Sequence, residues 1–364
     1  MLRLKRNSAS FSLARINSAG NLVTRQPMLP TEKDAIRHYS NLDACLEFLI
    51  PIRWPDGITC PDCNGVEHSF LSTRHIWKCR ECKKQFSVKQ GTVMEDSPLG
   101  LDRWLCAIWM IANAKNGISS WEIHRALGIT QKSAWFLLHR IRLAMATGTF
   151  LKLSGQVEAD ETFVGGKAKF MHKERREQLI QGRGPVGKAI VMGLLERTPD
   201  KDKASQITAM VVPNRTAETL QEKVRENVEP GSEMLTDEWV GYNGLEPEYV
   251  HSVINHAVKY VDGHIHTNGT ENFWTLFKRC IKGTYVSVEC DHLFRYLDEE
   301  MFRFNERKTK DKDRFVKAVS GINGRRVTYK QLIDRGDEPV GRRGRLPKLK
   351  RHENRQEKAA GERS

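Results

Sequence analysis

Four cysteines constrain this chain more than any other feature. They form two pairs, Cys60-Pro61-Asp62-Cys63 and Cys79-Arg80-Glu81-Cys82, with 15 residues between the pairs. Each C-x2-C puts two thiolates on one tight turn, and two such turns at this separation suit a tetrahedral four-sulfur zinc site. The intervening residues are long enough for strands that bring the turns together, with Trp77 and Phe86 as a small core. Four thiolates leave no coordination position for water, so Zn2+ here is structural. His68 and His75 lie between the knuckles, but a complete set gives them no required role. The remaining cysteines (Cys45, Cys106, Cys280, Cys290) are scattered, unlike a disulfide framework, and fit a reducing cytoplasm.

The chain has 364 residues, enough for several domains. Its 59 Lys and Arg against 45 Asp and Glu give a net charge of +14. That excess favours a polyanionic partner, because each cation meeting a phosphate releases counterions. Lys78, Arg80, Lys83, Lys84 and Lys89 gather around the second knuckle, as phosphate contacts or as a solvated face. The longest apolar runs, such as Trp104–Ile111, are too short to span a bilayer, and no signal-peptide-like apolar core opens the chain. Residues 1–27 read as a disordered basic start. A short helical segment over 28–55 is capped by Thr31 and ended by Pro51 and Pro55. The ribbon occupies 56–90, helices 96–147 and a mixed α/β region 150–310. A basic, largely disordered tail follows over 311–364, with nine Lys and Arg against three Glu from Gly341 onward.

Between Ile118 and Trp135 the pattern is that of a helix-turn-helix. A short helix ends at Gly128, a brief turn follows, and Thr130 caps the next helix. In such motifs the start of the second helix reads base edges. This nominates Gln131, Lys132 and Ser133, with His139, Arg140 and Arg142 further along, while Trp135, Leu138 and Ile141 form the packed face. The alternative is a three-helix subdomain that never touches DNA.

Beyond residue 153 the pattern predicts strands at Gln156–Thr162, Ala189–Leu195 and Gln206–Val212. A helix at Ala217–Val228, a strand at Glu233–Thr236 and another at Tyr249–Ile254 follow. A short helix fits near Glu238–Leu245, and helices close the region at Gly269–Ile281 and Cys290–Asn305. The order is that of a ribonuclease H-like fold. Three acids fall at its element ends: Asp160, Asp237 and Glu271. Two Mg2+ ions can clamp the attacking and leaving oxygens of a phosphodiester, and each needs only one or two protein carboxylates. Glu158 shares a strand face with Asp160, but Asp160 is the better ligand; Glu161 points the other way. Glu271 opens a helix, where simple dipole stabilisation is the competing explanation. Lys278 lies two turns further on the same face, able to hold DNA phosphate. Trp274 and Phe277 read as core, with base stacking an alternative for Trp274. His266 and Asn268 are supporting groups, and Asn268 is a rival third ligand.

These residues resemble the bacterial insertion-sequence transposases with an N-terminal zinc ribbon and a DDE catalytic domain, the ISXO-like group. The likeness runs from about Leu42 to Asn305. It rests on Arg53-Trp54-Pro55-Asp56-Gly57, both knuckles, and Asp160-Glu161-Thr162-Phe163-Val164-Gly165-Gly166. It rests also on Thr236-Asp237, His266-Thr267-Asn268, Glu271, Phe273-Trp274, Lys278 and Lys282-Gly283-Thr284-Tyr285. The resemblance implies a multidomain α+β protein: a zinc ribbon and helix-turn-helix, then a ribonuclease H-like α/β catalytic domain. It implies a polynucleotidyl transferase that binds the terminal inverted repeats of its own element, cuts, and transfers strands by two-metal phosphoryl transfer. Asp160, Asp237 and Glu271 would hold Mg2+, for which Mn2+ can substitute, with Lys278 as companion. A homo-oligomer is expected, because two DNA ends must be synapsed. A ribonuclease H-like nuclease or resolvase, and a non-catalytic zinc-ribbon regulator, are the competing readings.

Overall fold

A computed structural model describes residues 31–146, 152–165, 188–200, 202–237, 239–246, 248–254, 267–286 and 288–333. It also pairs the short strands β1 (Arg15–Ile16) and β2 (Leu22–Val23) antiparallel. Otherwise the expected disordered start, the tail beyond 333, His266 and Gly166 lie outside the described residues. The chain divides into two compact units.

The first unit begins with two helices where the sequence predicts one. Thr31 caps α1 (Glu32–Tyr39) by accepting from the Asp34 amide. Asn41 then caps α2 (Leu42–Arg53), its side chain accepting from the Asp43 and Ala44 amides, so the chain breaks at Ser40-Asn41. Pro51 sits inside α2 and does not end it. The ribbon sheet follows, β3 (His68–Leu71), β4 (Ile76–Cys79) and β5 (Gln85–Phe86), antiparallel in that order. Trp77 faces Phe86 across the sheet, and Trp54 meets both edge-on, which explains the aromatic just before the first knuckle.

Helix α3 (Leu101–Asn113) is buried over most of its surface. Helix α4 (Ser120–Leu127) starts with a reciprocal cap, Ser119 Oγ accepting from the Glu122 amide and Glu122 from the Ser119 amide. It stops at Gly128, whose φ of +61° suits glycine. Thr130 caps α5 (Gln131–Met145) through the Ser133 amide.

The expected disordered tail is corrected over 311–333. Helix α9 (Asp311–Ser320) returns to the first unit, where Phe315 is fully buried and stacks on Phe48 at 5.3 Å. Charge misled the reading: Phe315, Ala318 and Val319 make one apolar stripe on an otherwise charged helix. The return covers the end of α5, with Arg325 donating to the Ala144 carbonyl at 3.1 Å.

The second unit is built on a five-stranded sheet. Its order is β10 (Val250–Ile254), β9 (Glu233–Asp237), β6 (Gln156–Val164), β7 (Ala189–Glu196) and β8 (Gln206–Val212). Strands β6, β7 and β8 are antiparallel neighbours, while β9 and β10 run parallel to β6. Strand alternation gives the sheet two apolar faces. Helix α6 (Ala217–Asn227) covers one, with Leu220 and Val224 against Val157, Ala159 and Met234. Helices α7 (Asn268–Arg279) and α8 (Leu293–Asn305) cover the other, with Phe273, Trp274 and Phe277 against Val191, Leu195 and Ala209. The helix expected near Glu238–Leu245 shrinks to one 3-10 turn, Val240–Tyr242. After α7 the backbone loosens into a π-helix, Cys280–Tyr285, and α10 (Tyr329–Ile333) ends the described chain. Among the described residues no helix is long and apolar enough to cross a membrane.

Candidate functional site

The four knuckle cysteines converge. Their sulfurs all lie within 4.8 Å of one another, and Cys60–Cys82 and Cys63–Cys79 are each 3.6 Å apart. A tetrahedron with metal–sulfur bonds of about 2.3 Å has sulfurs roughly 3.8 Å apart, so the donor set fits Zn2+. Both knuckles use one turn. The Cys60 amide donates to the Gly65 carbonyl and the Cys79 amide to that of Lys84, with Asn64 and Lys83 at φ of +60° and +65°. Backbone amides of Cys82 and Glu81 draw Cys79 down, while the neighbouring thiols push Cys63 and Cys82 up, so the four sulfurs share their protons as one group. In the basic cluster nearby, Lys89 instead turns inward to the Ser97 carbonyl, and burial lowers its pKa.

The acids are held differently. Ala159 pairs with Thr236 in the parallel β6–β9 ladder, so Asp160, in the middle of β6, stands next in register to Asp237, the last residue of β9. Adjacent strands lie about 4.8 Å apart. Asp160 faces α7, and its Oδ2 accepts from Trp274 Nε1 at 3.0 Å. Trp274 is therefore buried and committed to Asp160, not free to stack on a base. Gly193 pairs with Asp160 across the β6–β7 ladder, and a Cβ there would come within 2.6 Å of the Trp274 ring. A glycine at that register is thus what lets the indole lie over the strand. Burial, then the charges of Glu161 and Asp237, push the Asp160 carboxyl up to about 7.

Glu161 points to the opposite sheet face, as alternation requires, but it is not idle. Its carboxylate pairs with Arg215 at 2.9 Å and accepts from the Tyr242 hydroxyl. Burial raises its pKa against both partners. Arg215 also lies over the Trp239 ring at 4.0 Å, and Trp239 donates its amide to Asp237 at 3.1 Å. This chain of contacts ties the loop after β9 to the end of β6. Sequence reasoning missed it, since Arg215 sits in a loop without a motif.

Glu271 is exposed in the first turn of α7. Among the described residues, it does not join the two aspartates in a group of ligand atoms converging as closely as the sulfurs do. Lys278 is half-buried on α7; burial lowers its pKa, and it stands within electrostatic reach of Asp160, Lys282 and Lys188. Asn268, the first residue of α7, is exposed. Carboxylates are the hard oxygen donors Mg2+ takes, and a cation would relieve the crowding that helps raise Asp160. The donor chemistry fits the ion.

The expected DNA-reading set divides. Gln131 and Ser133 are half-exposed and Lys132 is exposed at the start of α5. Arg140 is corrected: it is buried, donates to the Glu95 carbonyl and lies 5.3 Å from the Trp104 ring. Burial lowers its pKa to about 10. His139 and Arg142 are buried as well.

Comparison with known proteins matches residues 152–305 to the ISXO2-like transposase domain and residues 41–85 to the transposase zinc-ribbon domain. An uncharacterized transposase-like protein of Haemophilus influenzae is 33% identical over 115 residues, 31% of this chain and 93% of that protein. An uncharacterized protein in transposable element ISH50 of Halobacterium salinarum is 24% identical over 268 residues, 68% of this chain and 86% of that protein.

Proposed function

The chain belongs to the ISXO2-like transposase family, with that family's zinc ribbon ahead of its transposase domain, and from this premise we propose that it cuts and joins the DNA ends of its own insertion sequence. The observation that carries the reading is that Asp160 and Asp237 follow directly on Ala159–Thr236, the last pair of the parallel β6–β9 ladder, in a setting that holds Asp160 up to about 7. Strand order β10-β9-β6-β7-β8, with three antiparallel and two parallel members, supports a ribonuclease H-like catalytic domain. Asp160, Asp237 and Glu271 are the residues that would hold Mg2+. When bound, the ions would stabilise charge on the phosphorus oxygens and activate the attacking hydroxyl.

The protein's own groups do the rest. Trp274 holds Asp160 in one rotamer and favours its ionised form through its N–H. Arg215 and Tyr242 keep Glu161 turned away, so that it adds charge to the site without competing for the ligand positions. Lys278 supplies a cation for the phosphate flanking the scissile bond. The start of α5, with Gln131, Lys132 and Ser133, contacts the terminal repeats as the second helix of a helix-turn-helix. Two ends must meet in one assembly, so the active form contains more than one copy.

The test uses duplexes made from the DNA flanking the gene. With Mg2+ the protein should nick at the element end to leave a 3′-OH, and a pre-cut end should be joined to target DNA. Nicking without joining would favour a nuclease or resolvase. Binding without either reaction would favour a regulator and sink the proposal.

A further inference from the structure

Glu158 lies two residues before Asp160 on β6 and is buried, with 1% of its side chain exposed. One carboxylate oxygen accepts from Arg197 Nε at 2.7 Å. The other accepts from the Thr270 backbone amide at 2.8 Å, while the Thr270 hydroxyl donates to the Thr267 carbonyl at 2.7 Å. Thr270 stands in the first turn of α7, where amides have no partner within the helix. The helix's own cap residue, Thr267, makes no side-chain capping bond. The cap therefore comes from a strand 112 residues earlier in the chain. Gly269 permits the approach: a Cβ there would fall 2.8 Å from Glu158 Oε2 and 3.0 Å from Leu195 Cδ2.

This bond is one of two that dock α7 on β6, the other being Trp274 to Asp160. Glu158 and Asp160 are two residues apart on a strand, about 6.7 Å. Thr270 and Trp274 are four apart on a helix, about 6 Å. The two repeats match, so the pair of bonds fixes both the rotation and the slide of α7. Glu271, the next residue after Thr270, moves with that turn. Arg197 offsets the Glu158 charge, so the cap does not add to the repulsion around Asp160.

We propose that Glu158 is a positioning residue: by capping α7 from β6 it sets where Glu271 stands relative to Asp160. The inference rests on the proposed function only for the role of Glu271; the cap itself does not depend on it. Two near-isosteric variants of the full zinc-loaded chain test it. Glu158→Gln keeps the reach of an oxygen to the Thr270 amide but loses the charge. Glu158→Asp keeps the charge and shortens the reach by one methylene.

Hydrogen exchange at the Thr270 amide should quicken about tenfold in Glu158→Asp, the size expected for a lost helix cap, and stay within about threefold of wild type in Glu158→Gln. The Mg2+ concentration for half-maximal cleavage should follow the same order. Gly269→Ala, which forces α7 away from Glu158 without altering any acid, should act like Glu158→Asp, and it decides the matter if that variant fails to fold. Wild-type exchange at Thr270 in a folded Glu158→Asp or Gly269→Ala protein would overturn the cap. Quickened exchange with an unchanged Mg2+ requirement would overturn the link to Glu271. A wild-type protein without Mg2+-dependent cleavage would defeat the functional reading instead, and the exchange result would still decide the cap.

Discussion

The zinc cluster and the proposed acidic site solve opposite problems. The four sulfurs lie together in the folded chain because each pair rides on one short turn and a three-stranded sheet brings the two turns face to face. The carboxylates come from β6, β9 and α7, more than a hundred residues apart from first to last, and burial, then like charge, pushes Asp160 up to about 7. A structural site can be finished by local geometry. A site meant to take a metal and a polyanion together is held open and electrostatically unsatisfied, so that binding relieves it.

The largest effect should come from the ribbon. Cys60→Ser or Cys79→Ser removes one of four ligands from a site whose metal is worth about 10–16 kcal/mol to such small folds. Zinc content should fall below one ion per chain and DNA-end binding should weaken, while the unit built on the five-stranded sheet keeps its fold. Retained stoichiometric zinc would break the comparison from that side. Next is Asp160→Asn or Asp237→Asn, which should lower strand cleavage on the order of 10³-fold through lost charge stabilisation, with end binding unchanged in a mobility-shift assay. Substantial cleavage by either variant would remove that aspartate from the site.

Mg2+ itself should stabilise the protein. At about a hundred times its Kd, an ion bound only by the native state adds about 2.7 kcal/mol, or roughly 5–10 °C in Tm for a domain of this size. The rise should vanish in Asp160→Asn and persist in Cys60→Ser, which calorimetry can read. The smallest effect belongs to Trp274→Phe. It keeps the ring in its slot beside Gly193 but removes the N–H that donates to Asp160. A bond to a charged group is worth about 1.5–3 kcal/mol, so cleavage should fall about ten- to a hundredfold, and the Mg2+ requirement should rise because α7 loses one of its bonds to β6. An unchanged rate would mean that the indole is only core.

Much of this was legible in the residues because it depends on neighbours in the chain. The cysteine spacing announced the ribbon, and Thr31 and Thr130 announced the starts of α1 and α5, each accepting the amide three residues on. The strand read at Gln206–Val212 has the bounds of β8 as found. The errors were of a different kind. Arg140 looked like a DNA contact because a guanidinium is usually outside, and residues 311–333 looked like a tail because their charge is high. A helix with three apolar residues on one stripe came back to pack on the first unit, and Arg140 turned inward to the Glu95 carbonyl and the Trp104 ring.

By itself, then, the sequence determined the metal-binding turns, most helix starts and strand bounds, and which acids were available. Each is settled within a few residues, where spacing and capping chemistry act. Tertiary structure alone decided which charges would be enclosed: Glu158 capping a helix from a distant strand, Glu161 held by Arg215 and Tyr242, Arg140 inside the core. A buried charge is tolerable only where its partner arrives, and the partner's arrival is a property of the fold, not of the residues on either side.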